Sequence, residues 1–131
     1  MYLPAAEEQM ITGQTARLWG FIYNARIRRP YQLLNNLDEI DAGSIKVKAI
    51  STPGHTPGSM SYLVNQSILF SGDTFKLVDN RVCLLRRYIN MDMVQQEKSI
   101  RKLAKLDDIQ LACTAHWGCT NKFSEAMNSW K

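Results

Sequence analysis

Two Pro-Gly pairs bracket a single histidine in Thr52-Pro53-Gly54-His55-Thr56-Pro57-Gly58-Ser59. Proline fixes one backbone angle and glycine frees the next, so the pairs force tight turns on both sides of His55 and present its imidazole outward. Strand-like segments flank them. Upstream, Asp41-Ala42-Gly43-Ser44 marks a turn, after which Ile45, Val47 and Ala49 alternate with Lys46 and Lys48. That is the period of a half-buried strand, and one edge of a sheet is expected to begin there. Downstream, residues 61–64 and 68–71 predict two further strands joined by a hairpin turn at Asn65-Gln66-Ser67. Val82, Leu84 and Leu85 extend the theme beyond a turn at Asp79-Asn80.

Helical patterning surrounds this strand-rich middle. Pro4 suits the first turn of a helix through Ile11, with Glu7 and Glu8 near the positive end of its dipole and Gly13 as a stop. Asn90 or Asp92 can cap a helix whose Met93, Val94, Ile100, Leu103, Ala104 and Leu106 form an apolar stripe. Gln95, Gln96, Lys98, Arg101, Lys102 and Lys105 fall mainly on its wet face. Residues 109–114 predict a short buried strand, and Thr120 or Asn121 starts a final helix with Phe123, Ala126, Met127 and Trp130 inward.

A chain of 131 residues is one domain's worth, read as a single domain over 1–131. Apolar residues at 45% and charged residues at 21% place it with packed globules, far from the low-hydrophobicity, high-charge signature of disorder. Sixteen Lys+Arg against twelve Asp+Glu leave a net charge of +4, too small an excess to favour nucleic acid or an anionic membrane. Leu18, Trp19, Phe21, Ile22 and Tyr23 beside Arg26, Arg28 and Arg29 offer aromatics with arginines, a pattern of nucleic-acid surfaces, but a buried cluster with a basic rim is the commoner arrangement. No run approaches the roughly 18 apolar residues of a spanning helix, and the first ten residues lack a signal-peptide pattern. Three cysteines, Cys83, Cys113 and Cys119, do not suit a secreted disulfide framework, so a cytoplasmic setting is expected.

Three segments place a potential metal ligand in a turn beside a strand. Besides the His55 run, Phe70-Ser71-Gly72-Asp73-Thr74 leads an apolar strand into a carboxylate, and Thr114-Ala115-His116-Trp117-Gly118 ends a strand in a histidine. Imidazole and carboxylate are zinc donors. Cys113, His116 and Cys119 also have ligand-like spacing, but Cys113 reads better as a small core residue and Cys119 as a thiol near the site. Ser59 and Ser71 lack a paired base, which disfavours serine hydrolysis.

Taken in this order, the three runs and the intervening helix resemble the C-terminal half of the metallo-β-lactamase superfamily. The resemblance implies a fold of mixed α/β (α+β) class: half of an αββα sandwich, with a mixed β-sheet carrying helices on one face. It also implies that His55 ligates one metal of a dinuclear zinc site, that Asp73 bridges the two metals and is the catalytic candidate, and that His116 completes the second. Two imidazoles and a carboxylate could still hold one zinc with water in the fourth position. The implied chemistry is attack of activated water on an ester, thioester or amide.

The family's upstream His-x-His-x-Asp-His run has no counterpart, since no histidine precedes His55, and residues 1–8 resemble the strand and helix that follow it. The chain therefore resembles a family protein without its first half. One sheet face would then lie open, and leaving several hundred Å² of apolar surface in water forgoes on the order of 10 kcal/mol. A homodimer through that face, or a chain carrying the missing half, is expected to cover it. Three functions follow: a hydrolase with an incomplete metal site, a non-catalytic self-associating scaffold or binding module, and one subunit of a split hydrolase.

Overall fold

The computed structural model describes residues 1–16, 23 and 26–131. The aromatic cluster at Leu18, Trp19, Phe21 and Ile22 lies outside the described residues. Its neighbours Tyr23, Arg26, Arg28 and Arg29 are exposed.

The N-terminal segment forms strand β1 (Tyr2–Pro4), a single 3-10 turn (Ala5–Glu7), and helix α1 (Glu8–Ile11). Proline stands at the turn's N-terminal boundary, where its missing N–H costs nothing. Strand β2 (Gln32–Leu34) then pairs with β1 in parallel, Leu3 opposite Leu33.

Six strands make the main sheet: β3 (Glu39–Ala42), β4 (Ile45–Ser51), β5 (Met60–Val64), β6 (Ile68–Gly72), β9 (Leu111–Thr114) and β10 (Cys119–Thr120). Their spatial order is β10-β9-β6-β5-β4-β3. Every pairing is antiparallel except β6 with β9. Asn65 and Gln66 both have positive φ, 45° and 58°, and the Ser67 N–H donates to the Val64 carbonyl, which is the tight hairpin geometry expected of that turn. Strands β7 (Lys76–Val78) and β8 (Arg81–Cys83) form a separate hairpin rather than an extension of the main sheet. Helix α2 (Met93–Leu103) and the short helix α3 (Phe123–Ala126) complete the chain.

The core lies on one face of the main sheet. Ile50, Leu63, Leu69 and Ala112 meet Phe75, Val82, Ile100, Leu103, Phe123 and Met127 from the hairpin and the two helices. Asp92 caps α2 by accepting from the Gln95 N–H at 2.9 Å. Trp130 donates its indole N–H to the Val82 carbonyl at 2.8 Å, so its polar edge is satisfied where the ring packs.

Several expectations need correction. The sheet edge is β3, not β4. Strand β4 is buried on both faces at its end, because Ile50 faces the main core and Ala49 faces the other way, and neither is exposed. Val94 is 64% exposed and leaves the apolar stripe, whereas Gln96 is completely buried. The opposite sheet face is not uniformly open. Ala49, Tyr62 and Phe70 are cross-strand partners on that face, yet Ala49 is fully buried and Phe70 is 46% exposed. Leu3, Met10, Ile11 and Leu34 are buried outside the main cluster, giving the N-terminal segment an apolar group of its own. Cys113 and Cys119 are neither a core thiol nor a free one; they are disulfide-bonded. Among the described residues, no helix is long and apolar enough to cross a membrane.

Candidate metal centre

Strands β4, β6 and β9 run in the same direction, since β5 is antiparallel to both β4 and β6 while β6 and β9 are parallel. Their C-terminal ends therefore share one sheet edge. The His55 loop follows β4, Asp73 follows β6, and His116 lies in the loop after β9. Topology brings together three runs that are far apart in sequence.

The His55 loop is wedged between two other elements, which explains both of its glycines. A Cβ on Gly54 would stand 2.5 Å from backbone and side-chain atoms of Gln96 on α2, and a Cβ on Gly58 would collide with the backbone nitrogen and Cβ of Glu7. Helix α2 is tied to this loop at its start and along its side. The Asp92 N–H donates to the Gly54 carbonyl at 2.8 Å, and the Ser99 hydroxyl to the Pro53 carbonyl at 2.7 Å. On the other flank the Glu7 carboxylate accepts from the Thr56 hydroxyl at 2.7 Å and from the Gly58 N–H at 3.0 Å.

Beneath the loop, Thr52, Ser61 and Thr74 form a closed triangle of buried hydroxyls. The Thr74 hydroxyl donates to that of Thr52 at 2.9 Å, and Ser61 lies 3.1 Å from Thr52 and 3.3 Å from Thr74. The triangle joins the start of the His55 loop to the residue after Asp73. The Ala115 N–H donates to the Gly72 carbonyl at 3.0 Å, joining the third loop to the second.

At the centre, Asp73 stands between the two imidazoles. His55 Nε2 is 4.0 Å from one carboxylate oxygen and His116 Nε2 is 3.6 Å from the other. His55 is nearly enclosed, its side chain 12% exposed, against 29% for Asp73 and 68% for His116. The Nδ1 atom of His55 lies 3.2 Å from Asn90 Oδ1, and Asn90 in turn donates to Gln96 Oε1 at 2.7 Å. That chain orients the ring with Nε2 toward Asp73, as partners behind metal-ligating histidines do. His55, Thr56, Ser59, Met60, Gly72 and Asp73 line a cleft of about 300 Å³.

The donor types suit zinc, and each histidine meets a different oxygen of one carboxylate, the placement of a bridging group. A single ion held by all three is another matter. Among the described residues no group of three or more His, Cys, Asp or Glu side chains is arranged to hold a metal ion. The three-ligand, one-zinc arrangement open at the level of sequence is thus not formed, and the ligand-like spacing of Cys113, His116 and Cys119 ends in a disulfide instead.

Sequence reasoning missed three contributors. Glu7 was legible only as a dipole-favouring acid, Gln96 only as a wet-face residue, and Asn90 only as a possible cap. Their roles depend on partners that local pattern does not reveal. A second cavity of about 280 Å³ lies beside the His116 loop, lined by Lys76, Leu85, Arg86, Tyr88, Ile89 and Trp117. Arg86 donates to the Tyr88 hydroxyl at 3.0 Å, and this contact holds its guanidinium above the ordinary range for deprotonation.

Comparison with known proteins identifies the family and its fold. The metallo-beta-lactamase superfamily profile matches residues 2–116. The chain belongs to that superfamily. It is 34% identical over 107 residues to a hydroxyacylglutathione hydrolase of Bartonella tribocorum, covering 72% of this chain and 40% of that protein. Over 38 residues it is 55% identical to the hydroxyacylglutathione hydrolase of Brucella ovis, covering 28% of this chain and 15% of that one. Among solved structures it superposes on the BLEG-1 B3 metallo-beta-lactamase with a TM-score of 0.69 at 25% identity, covering 97% of this chain and 61% of that one. A Staphylococcus aureus metallo-beta-lactamase gives a TM-score of 0.63 at 22% identity, covering 98% and 39%. The chain thus spans less than half the length of these hydrolase relatives.

Proposed function

We propose that this site belongs to a zinc-dependent hydrolase acting on a thioester of the hydroxyacylglutathione kind, in which His55 and His116 would each ligate one ion and Asp73 would bridge them. One observation carries the reading: two imidazole Nε2 atoms face opposite oxygens of a single carboxylate. Zinc bound there would supply Lewis acidity and a nucleophilic water at neutral pH. The chain's own residues orient and hold: Asn90 fixes the His55 ring, and Glu7 with Thr56 fixes its loop. Lys76 and Arg86, beside Tyr88 and Trp117, offer cations and flat apolar surface to the anionic thiol portion of such a substrate.

Three donors do not fill two metal ions, and no histidine precedes His55. The remaining donors would come from the family's upstream histidine run, carried either ahead of these residues in the same polypeptide or on a partner chain over the open side of the sheet around Phe70. The test is thermal unfolding with and without Zn²⁺. Zinc at about 100 times its Kd should add about 2.7 kcal/mol of stability, and Asp73→Ala should abolish the gain. An unshifted midpoint at saturating zinc overturns the reading. Thioester hydrolysis with those donors supplied then assigns the substrate class.

A second reading, a non-catalytic self-associating module, is favoured by the 46% exposure of Phe70 on an otherwise apolar sheet face. Light scattering coupled to size exclusion separates the two. A zinc-free homodimer supports the module, and a monomer overturns it.

A further inference from the structure

Cys113 and Cys119 are direct cross-strand partners at the edge of the main sheet and are joined by a disulfide. The segment they close carries His116. Strand β10 contributes two residues and, among the described residues, pairs only with β9. Within the loop, the Thr114 N–H donates to the Gly118 carbonyl at 3.0 Å and the Trp117 N–H to the Thr114 hydroxyl at 2.8 Å. So short an edge pairing has few contacts to resist local opening, and the covalent link adds closure that those hydrogen bonds lack. Cys113 is also held from the site side, because the Ser71 hydroxyl donates to its carbonyl at 3.2 Å. Cys119 is exposed, whereas Cys113 is half-buried.

We propose that Cys113–Cys119 is a thiol-exchange site whose oxidised state holds His116 against Asp73. The reactant is a low-molecular-weight thiol. Its thiolate attacks the exposed Cys119 sulfur, breaking the S–S bond, forming a mixed disulfide and expelling the Cys113 thiolate, which takes up a proton. A second thiolate attacks the sulfur of the small-molecule half of that mixed disulfide. It releases the Cys119 thiolate and leaves the small molecule as its own disulfide, so two electrons pass to the protein. Exchange with that small-molecule disulfide reverses both steps. The consequence for metal binding rests on the hydrolase reading, under which a thiol of this class is also the leaving group of the reaction.

The test uses the full chain, equilibrated with either glutathione disulfide or reduced glutathione. Alkylation followed by intact mass should count one thiol in the oxidised form, Cys83, and three in the reduced form. Hydrogen-exchange mass spectrometry should show amides 114–118 exchanging several-fold faster after reduction, and Cys113→Ser/Cys119→Ser should match the reduced form. Cys83→Ser should leave both results unchanged. Zinc affinity should fall about tenfold on reduction, the scale of a displaced supporting group. Three titratable thiols in glutathione disulfide, or identical exchange at 114–118 in both states, would overturn the proposal. If zinc binds neither form, the hydrolase reading fails while the exchange data still decide this one.

Discussion

A Cβ on Gly58 would stand 2.4 Å from the Glu7 backbone nitrogen, and the Glu7 carboxylate accepts the Gly58 N–H at 3.0 Å across 51 residues of sequence. The second Pro-Gly pair of the histidine loop is therefore a docking surface for the N-terminal segment as well as a turn. Its lack of a side chain permits the approach, and the carboxylate then also engages Thr56, next to His55.

Glu7→Ala leaves the Thr56 hydroxyl and the Gly58 N–H without their charged acceptor. The expected loss is about 1.5–3 kcal/mol, the range for hydrogen bonds to a charged group. Gly58→Ala should cost about 1–3 kcal/mol through overpacking against a backbone. Urea unfolding should show a lower midpoint with an unchanged slope for both variants.

Asn90→Ala removes the group that fixes the His55 ring and strands the buried Gln96 amide. Zinc affinity is expected to fall about 10–100-fold, as for loss of other partners behind a metal ligand. Isothermal titration with Zn²⁺ measures this directly. Gln96→Ala should weaken binding less, since Asn90 still faces His55.

Asp92→Ala deletes the cap of α2 but leaves its backbone contact with Gly54. A loss of about 1 kcal/mol is expected, comparable with other capping substitutions. Calorimetry should record a Tm lower by about 4 °C.

Burial pushes the Tyr62 phenol above its ordinary pKa of 10.0. Between the unfolded and folded values the native state holds the extra proton. The associated stability is present in full below pH 10 and is lost as pH rises through the folded value. Urea unfolding between pH 9 and about 12 should show this decline, and Tyr62→Phe should remove that part of it.

The central strands were legible because alternation and turn residues agree: Asn65-Gln66 and Asp79-Asn80 both sit at positive φ in hairpin turns. Strand β3 escaped because Glu39 and Asp41 are polar residues on an exposed edge, where a strand needs little apolar signal. The three site runs were legible because each couples a strand end to a turn and a ligand-type side chain. Their convergence depends on the shared direction of β4, β6 and β9, which no single run encodes. Gln96 reads as solvated by type, yet its partner Asn90 makes burial tolerable.

The hydroxyl triangle of Thr52, Ser61 and Thr74 has an evolutionary consequence. Exchanging one member for an apolar residue takes one of its two triangle partners from each hydroxyl that remains, at about 0.5–1.5 kcal/mol for each hydrogen bond lost, while those two keep the bond to each other. Single changes are penalised, while concerted apolar replacement of all three escapes most of that cost. Drift at these positions must cross a barrier, so saturation mutagenesis of the trio should reveal strong epistasis where neighbouring core sites behave additively.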